Sequence, residues 1–335
     1  MQTRNQTADL LKGIAVLLMI QVHIMELFAT DDIYNSMLGK VLLFLGGPPV
    51  APVFMIAFGY FIFSSNKTAL QLILRGVSIF ILGIFLNLAL NFNLILSVYQ
   101  EKIQADIWTY IFGVDILQFA GLSLVIIGML KNIIQKYTSL IFGLIFLSAI
   151  LGNNLLHYIP ENNILLFLST YFYGSTNWSY FPLFPWLAYP LVGIALCQLQ
   201  QHKYVTVFHL PKTKIIVGSV LLLLLVFTIR YAFSVSSNLS SYYHHGALFF
   251  LWVIVFYLVY SLFIHKVNQL AGESMMIKYI KWLGKNVTLI YAIQWIMIGN
   301  IATEIYKTVS NPFYLGCWFL GIIIAASNLA YIVLK

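Results

Sequence analysis

About ten stretches of some 20 mainly apolar residues recur along this 335-residue chain. A helix of that length crosses the roughly 30 Å hydrocarbon core of a bilayer. The stretches lie near 8–29, 43–64, 70–92, 109–130, 138–157, 181–200, 213–234, 245–265, 284–304 and 312–334. A soluble fold must keep a polar skin over its core, yet only 8% of the residues are charged and 61% are hydrophobic. The bilayer can absorb that excess. The sequence therefore predicts an all-α polytopic membrane protein of about ten transmembrane helices. Little chain is left between the stretches, so residues 1–335 are read as a single transmembrane domain.

The formal net charge of +8 has a plainer source than nucleic acid. With an even helix count and the N-terminus inside, the inner loops hold Arg4, Lys67, Lys131, Lys136, Lys203, Lys212, Lys214, Lys266, Lys278, Lys281, Lys285 and Lys335. The outer loops hold Lys40, Lys102, Arg230 and Lys307. That asymmetry is the positive-inside rule, and it predicts both termini on the cytoplasmic side of a plasma (inner) membrane. Charge spread along the chain also speaks against a basic nucleic-acid face. The apolar run after Arg4 is followed by no small-x-small cleavage site, so the first helix is expected to be retained. Cys197 and Cys317 fall inside predicted helices without metal-ligand spacing and read as packing residues.

Two regions depart from plain spanning helix. Gly46-Gly47-Pro48-Pro49 interrupts the second stretch, because proline removes a backbone donor and glycine frees the backbone. Broken helix at membrane depth needs cover from protein or a water-filled cavity. Asn153–Tyr180 is too polar to span and rich in aromatic residues, as an outer loop with a short interfacial helix would be. Ordinary loop chemistry is the plain alternative for both regions, and for the second it accounts equally well.

An ionisable side chain inside a spanning helix costs roughly 2.5–3.5 kcal/mol on insertion scales. The first helix carries several. Asp9, Lys12, Val16, Met19, His23 and Glu26 follow spacings of three and four, so they form one stripe. Lys12 and His23 are eleven residues apart, about three turns or roughly 16 Å of rise. Lys12 can snorkel to the inner headgroups, and Asp9 can simply pair with it near the helix start. His23 can be a structural hydrogen-bonding residue, although nothing about spanning a bilayer favours histidine at that depth. Further along stand Arg75 and Asn87 on the third helix, Asp115 and Gln118 at i and i+3 on the fourth, and Pro185-Trp186 at the start of the sixth. His244 and His245 sit at the outer start of the eighth, where an interfacial role is the plain reading. No His/Asp/Glu spacing resembles a metal site, and none is expected.

The stretch RNQTADLLKGIAVLLMIQVH (Arg4–His23) resembles the first helix of a clan of membrane acyltransferases. That clan holds acyltransferase family 3 and the heparan-α-glucosaminide N-acetyltransferase-like proteins. Asp9, Lys12-Gly13 and His23 stand at the places of its Asp, Arg-Gly and His. PVFMIAFGYFIF (Pro52–Phe63), LILRGVSIFILGIFLN (Leu72–Asn87) and DILQFAGL (Asp115–Leu122) are similar to later segments. So are FPLFPWLAYPLVGIAL (Phe181–Leu196) and LGKNVTLIYAIQW (Leu283–Trp295). The order is the family's, and the matches run from residue 4 to about 295. Lys12 replaces the usual arginine and loses its bidentate fork; Arg75 stands alone where a pair is frequent; Gln294 occupies a place where relatives often carry histidine.

The resemblance implies transfer of an acyl group, commonly acetyl from acetyl-CoA, to a sugar hydroxyl or amine of a cell-surface or lipid-linked saccharide. On that reading Lys12 and Arg75 hold the phosphates of cytoplasmic acyl-CoA. His23 acts as general base on the acceptor, for which a neutral imidazole suits pH 7. Asp115, Gln118 and Trp186 contact the acceptor or orient the base. Beyond lipid, acyl-CoA and the saccharide, a homodimer is the partner to be considered. Two other classes stay open: a transporter, in which buried charge and broken helix mark a path, and a catalytically inactive relative.

Overall fold

A computed structural model describes residues 5–174, 176–200, 216–272 and 274–335 in full, and the backbone alone for 201 and 211–215. Arg4 and Lys203, counted above among the inner cations, lie outside the described residues, as do the side chains of Lys212 and Lys214. Every regular element described is an α-helix. The chain opens with α1 (Gln6–Phe28), α2 (Asp31–Asn35) and α3 (Met37–Gly46). Then come α4 (Ala51–Phe63), α5 (Ala69–Leu90), α6 (Phe92–Tyr99), α7 (Ile107–Ile111) and α8 (Ile116–Lys136). They are followed by α9 (Leu140–Leu155), α10 (Asn163–Phe172), α11 (Leu183–Trp186), α12 (Ala188–Gln201) and α13 (Pro211–Ser236). The last are α14 (Leu239–Tyr243), α15 (Ala247–Leu270), α16 (Met275–Lys285), α17 (Val287–Ile305) and α18 (Pro312–Val333).

Nine spans among the described residues are long and apolar enough to cross a membrane. They match nine of the ten expected stretches. The remaining stretch, 138–157, forms α9, whose 16 residues rise only about 24 Å. Lipid exposure is visible in the packing: Phe227 on α13 is 84% exposed, a cost in water that hydrocarbon removes. Cys197 is buried, as expected of a packing residue, whereas Cys317 is exposed on α18. The second span is broken where the Gly-Gly-Pro-Pro run stands, with α3 ending at Gly46 and α4 starting at Ala51. Within the polar region after α9 the expected short helix forms as α10, capped by the Asn162 side chain.

The chain divides into two compact units. Unit 1 comprises residues 1–53, 86–111 and 257–335; unit 2 comprises 54–85 and 112–256. In unit 1, α1 packs against α3, α16, α17 and α18. Its Asn5 side chain caps the first turn by accepting from the Ala8 N–H at 3.0 Å, satisfying a donor that the helix itself cannot. Its far end is tied down by main-chain bonds: Lys307 N–H donates to the Leu27 carbonyl and Val309 N–H to the Phe28 carbonyl, both at 2.9 Å. In unit 2, α9 packs against α11 and α12, and α8 against α11.

Candidate functional site

The charged stripe of α1 separates into two environments. Near the helix start Lys12 forms an ion pair with Asp9 at 3.1 Å, and the Asp9 side chain is only 4% exposed. The two are one turn apart, so the helix itself sets their separation. Here α16 crosses at backbone contact. A β-carbon on Gly13 would fall 1.9 Å from the Ile280 carbonyl oxygen, and one on Gly284 1.9 Å from the Asp9 carbonyl oxygen. Only glycine permits that approach.

The same crossing buries a second cation. Lys281 is 7% exposed, and its ammonium donates to Gln6 Oε1 at 3.0 Å. It shares the inward face of α16 with Ile277, Ile280 and Gly284. By sequence Lys281 is one of the loop charges, since a place on an apolar helical stripe does not say that a lysine is buried.

Further along α1, His23 meets α17. Its ring stacks on Trp295, with centroids 3.8 Å apart and planes 19° from parallel. Its Nδ1 lies 3.3 Å from Gln294 Oε1. Gln294 is fully buried, and its amide N–H donates to the Tyr291 carbonyl at 3.1 Å. That bond points the amide oxygen at the histidine. A carbonyl oxygen only accepts, so Nδ1 carries the proton in this bond, and in the neutral ring Nε2 is the nitrogen with the lone pair. The residue read as a departure from the family pattern thus holds the imidazole.

The turn between α16 and α17 places this pair. Asn286 ends one helix and begins the next, its side-chain amide donating to the Trp282 carbonyl at 3.0 Å. The segment Leu283–Trp295 therefore does two jobs. Gly284 seats α16 on Asp9, and two turns beyond Asn286 the helix delivers Gln294 and Trp295 to His23.

The other expected site residues belong to unit 2. Arg75 is exposed on α5 beside Leu74 and Val77, themselves 59% and 46% exposed, as a headgroup-reaching arginine would be. Asp115 caps α8, its Oδ1 accepting from the Ile116 N–H at 2.6 Å. Gln118 is 1% exposed and lies against Gly83, and neither atom of its amide has a hydrogen-bond partner among the described residues. Trp186 is fully buried, with its indole N–H donating to the Tyr243 carbonyl at 2.8 Å. Outside the expected set, a cleft of about 970 Å³ in unit 2 is lined by Ser65, Lys67, Lys131 and Gln135 among others. The Lys131 ammonium there donates to the Lys67 carbonyl. No group of three potential metal ligands occurs among the described residues.

These motifs have a family-wide counterpart. The profile of the family described as heparan-alpha-glucosaminide N-acetyltransferase, catalytic, matches residues 4–225. The chain belongs to this family. No curated protein and no solved structure matches it. The family match places the chain among acetyltransferase-type membrane proteins. It covers His23, Lys12 and Asp9, whereas Lys281, Gln294 and Trp295 lie beyond the matched residues. The side chains that hold the α1 stripe thus come from a part of the chain the family profile does not reach.

Proposed function

We propose that the protein is a membrane acyltransferase that moves an acyl group, in the first instance acetyl, from acyl-CoA to a hydroxyl or amine of a saccharide. The observation that carries this reading is the bond between His23 Nδ1 and Gln294 Oε1. It leaves Nε2 as the basic nitrogen, and a base held in one tautomer needs no reorganisation before it removes a proton. Stacking on Trp295 fixes the plane in which that lone pair lies. His23 Nε2 then takes the proton of the acceptor hydroxyl or amine as the acceptor oxygen or nitrogen becomes the nucleophile. Acyl-CoA supplies an activated thioester carbonyl when bound; the acceptor bonds to that carbon as the carbon–sulfur bond breaks, and the proton on His23 Nε2 passes to the departing CoA sulfur.

The cations at the start of α1 suit the donor's phosphates. Lys12 and Lys281 are both largely buried and both lie where α16 crosses α1. Each is a positive charge at the same helix crossing, and a lysine ammonium is a donor suited to phosphate oxygens. The three turns between Lys12 and His23, roughly 16 Å, separate the phosphate end from the reacting end. Arg75 remains the candidate cation of unit 2. By the excess of lysine in the loops assigned inside, the Lys12 end of α1 is taken to face the cytoplasm, where acyl-CoA is found, and the membrane is taken to be the plasma (inner) membrane.

The test uses the purified full chain in lipid nanodiscs with radiolabelled acetyl-CoA and a panel of sugar acceptors. Wild type is expected to transfer label, and His23→Ala to lose about 10²–10⁴-fold in rate. A His23→Ala protein with wild-type transfer would exclude the catalytic assignment. Lys12→Ala and Lys281→Ala should raise the KM for acetyl-CoA with little change in kcat. Unchanged donor affinity in both would remove the phosphate assignment.

A further inference from the structure

Unit 2 carries a buried positive charge with no acid to meet it. Lys131 lies on α8 and is only 8% exposed, although a buried ammonium is costly unless an anion answers it. Among the described residues its ammonium bonds to the Lys67 carbonyl, which is polar but carries no net charge. The unit contains two carboxylates, Asp115 and Glu161. Asp115 caps the opposite end of α8, about 24 Å of helix from Lys131. Glu161 comes after α9, with the 16 residues of that helix between it and the α8–α9 turn.

Lys131 helps to line the cleft of about 970 Å³ that lies between the α4–α5 turn and the end of α8. That volume is at the upper end of the roughly 300–1,000 Å³ of small-molecule sites. The turn is tied at both ends. Ser65 Oγ donates to the Ile62 carbonyl at 2.6 Å. Thr68 and Gln71 bond reciprocally, backbone N–H to side-chain oxygen, at 2.9 and 3.3 Å, as in a capping box. Lys67 stands between these ties and also lines the cleft. The Lys131 ammonium thus rests against another lining residue, and two cations with no acid stand at one opening. Asn66, Thr68, Asn132 and Gln135 add neutral polar groups.

One wall continues into lipid-facing surface. Leu70 lines the cleft and is 64% exposed. Leu74, Val77, Ile81 and Phe85 follow at spacings of four, three, four and four, all of them exposed. They extend a single apolar stripe along the α5 span. Lys131 stands five residues before the end of α8, about 7.5 Å of rise, within reach of the headgroup layer that flanks the hydrocarbon.

We propose that this cleft binds one anionic phospholipid, with its phosphate against Lys67 and Lys131 and an acyl chain along the α5 stripe. Basic pockets between spanning helices suit acidic headgroups, and ammonium-to-phosphate hydrogen bonds are among the stronger ones. A zwitterionic lipid brings its own cation to the two lysines and gains less there. A soluble phosphate compound would use the lysines and leave the stripe from Leu70 to Phe85 uncovered. Lys12, His23 and Lys281 belong to unit 1 and take no part.

Native mass spectrometry of the purified full chain in detergent tests it, with dioleoylphosphatidylglycerol and dioleoylphosphatidylcholine as probes. Expected is one saturable phosphatidylglycerol site, at least about tenfold tighter than any phosphatidylcholine binding. Lys131→Gln keeps a donor for the Lys67 carbonyl but removes the charge, and should weaken that site about tenfold or more. Lys136→Gln removes a neighbouring charge that does not line the cleft and should change binding by less than about twofold. Neither coenzyme A nor inorganic phosphate should displace the lipid. If Lys131→Gln lowers the unfolding midpoint, Lys67→Glu carries the test. It leaves the backbone carbonyl in place, sets a carboxylate at the cleft and should abolish the preference for phosphatidylglycerol. Equal affinity for the two lipids, equal loss in Lys131→Gln and Lys136→Gln, or a preference that survives Lys67→Glu would each overturn the proposal. Displacement by coenzyme A or phosphate would overturn it too, and would assign the cleft to a soluble phosphate compound.

Discussion

The two stretches of α1 that carry its polar stripe are held in opposite ways. Around Asp9–Gly13 the partner helix α16 touches backbone, with Gly13 and Gly284 against the Ile280 and Asp9 carbonyls. Around His23 the partner α17 presents side chains, an amide and an indole. Backbone contact leaves no rotamers to adjust and fixes helix position. Side-chain contact leaves the helix position alone and fixes the orientation and tautomer of one ring. A cation site needs the first; a base needs the second.

Substitutions separate the two stretches. The largest effect is expected at His23: His23→Ala should remove about 10²–10⁴-fold of transfer rate while leaving the thermal midpoint within a few degrees, since the ring is only half-buried. Gly284→Ala should do the reverse. Its new β-carbon overlaps the Asp9 carbonyl, so α16 must shift at a cost of about 1–3 kcal/mol, read as a lower unfolding midpoint. If Gly284→Ala left stability intact but abolished transfer, the contrast between the stretches would fail.

Gln294 gives an intermediate effect and sharpens the second half of the comparison. Gln294→Leu keeps volume but removes the acceptor for His23 Nδ1, a loss of roughly 1–3 kcal/mol at a buried site and so about 5–100-fold in kcat. The KM for acetyl-CoA should stay constant. Gln294→Glu retains an acceptor oxygen and should recover part of the rate. Equal loss in Leu and Glu variants would assign Gln294 to packing alone.

Much of this was legible in the sequence. Nine of ten expected stretches form spans, because hydropathy over about 20 residues reports directly on lipid contact. The break at Gly46–Pro49 was legible because proline and glycine act locally. The pairing of Asp9 with Lys12 followed from helical spacing and is present. Three features were not legible. Gln294 meets His23 across 271 residues, and no local pattern encodes such a contact. Lys281 was hidden because periodicity marks an apolar face but does not say that a lysine on it is buried. Arg75 and Trp186 looked alike in sequence, as polar or aromatic residues at helix starts, but the first is exposed and the second fully buried.

The smallest effect is expected beyond the far end of α1, and it bounds how much exposed charge contributes there. Lys307 pairs with Asp31 at 2.6 Å, with side chains 35% and 69% exposed. Its ammonium also lies 5.8 Å from the Tyr34 ring centroid. The hydrogen bond to Asp31 raises the Lys307 pKa above its ordinary 10.5. A raised lysine pKa means that the folded state holds the proton more tightly. The stabilisation is therefore fully present below about pH 10 and is lost as pH climbs through the raised value. At this exposure it amounts to a few tenths of a kcal/mol, at most about 1. Lys307→Met should lower the unfolding midpoint by no more than a few degrees at pH 7 in low salt, and by less in high salt. The difference from wild type should shrink as pH rises through the raised Lys307 value. The backbone bonds of Lys307 and Val309 to Leu27 and Phe28 survive the substitution. A midpoint loss as large as that of Gly284→Ala would mean that the ion pair, and not those backbone bonds, anchors this end of α1.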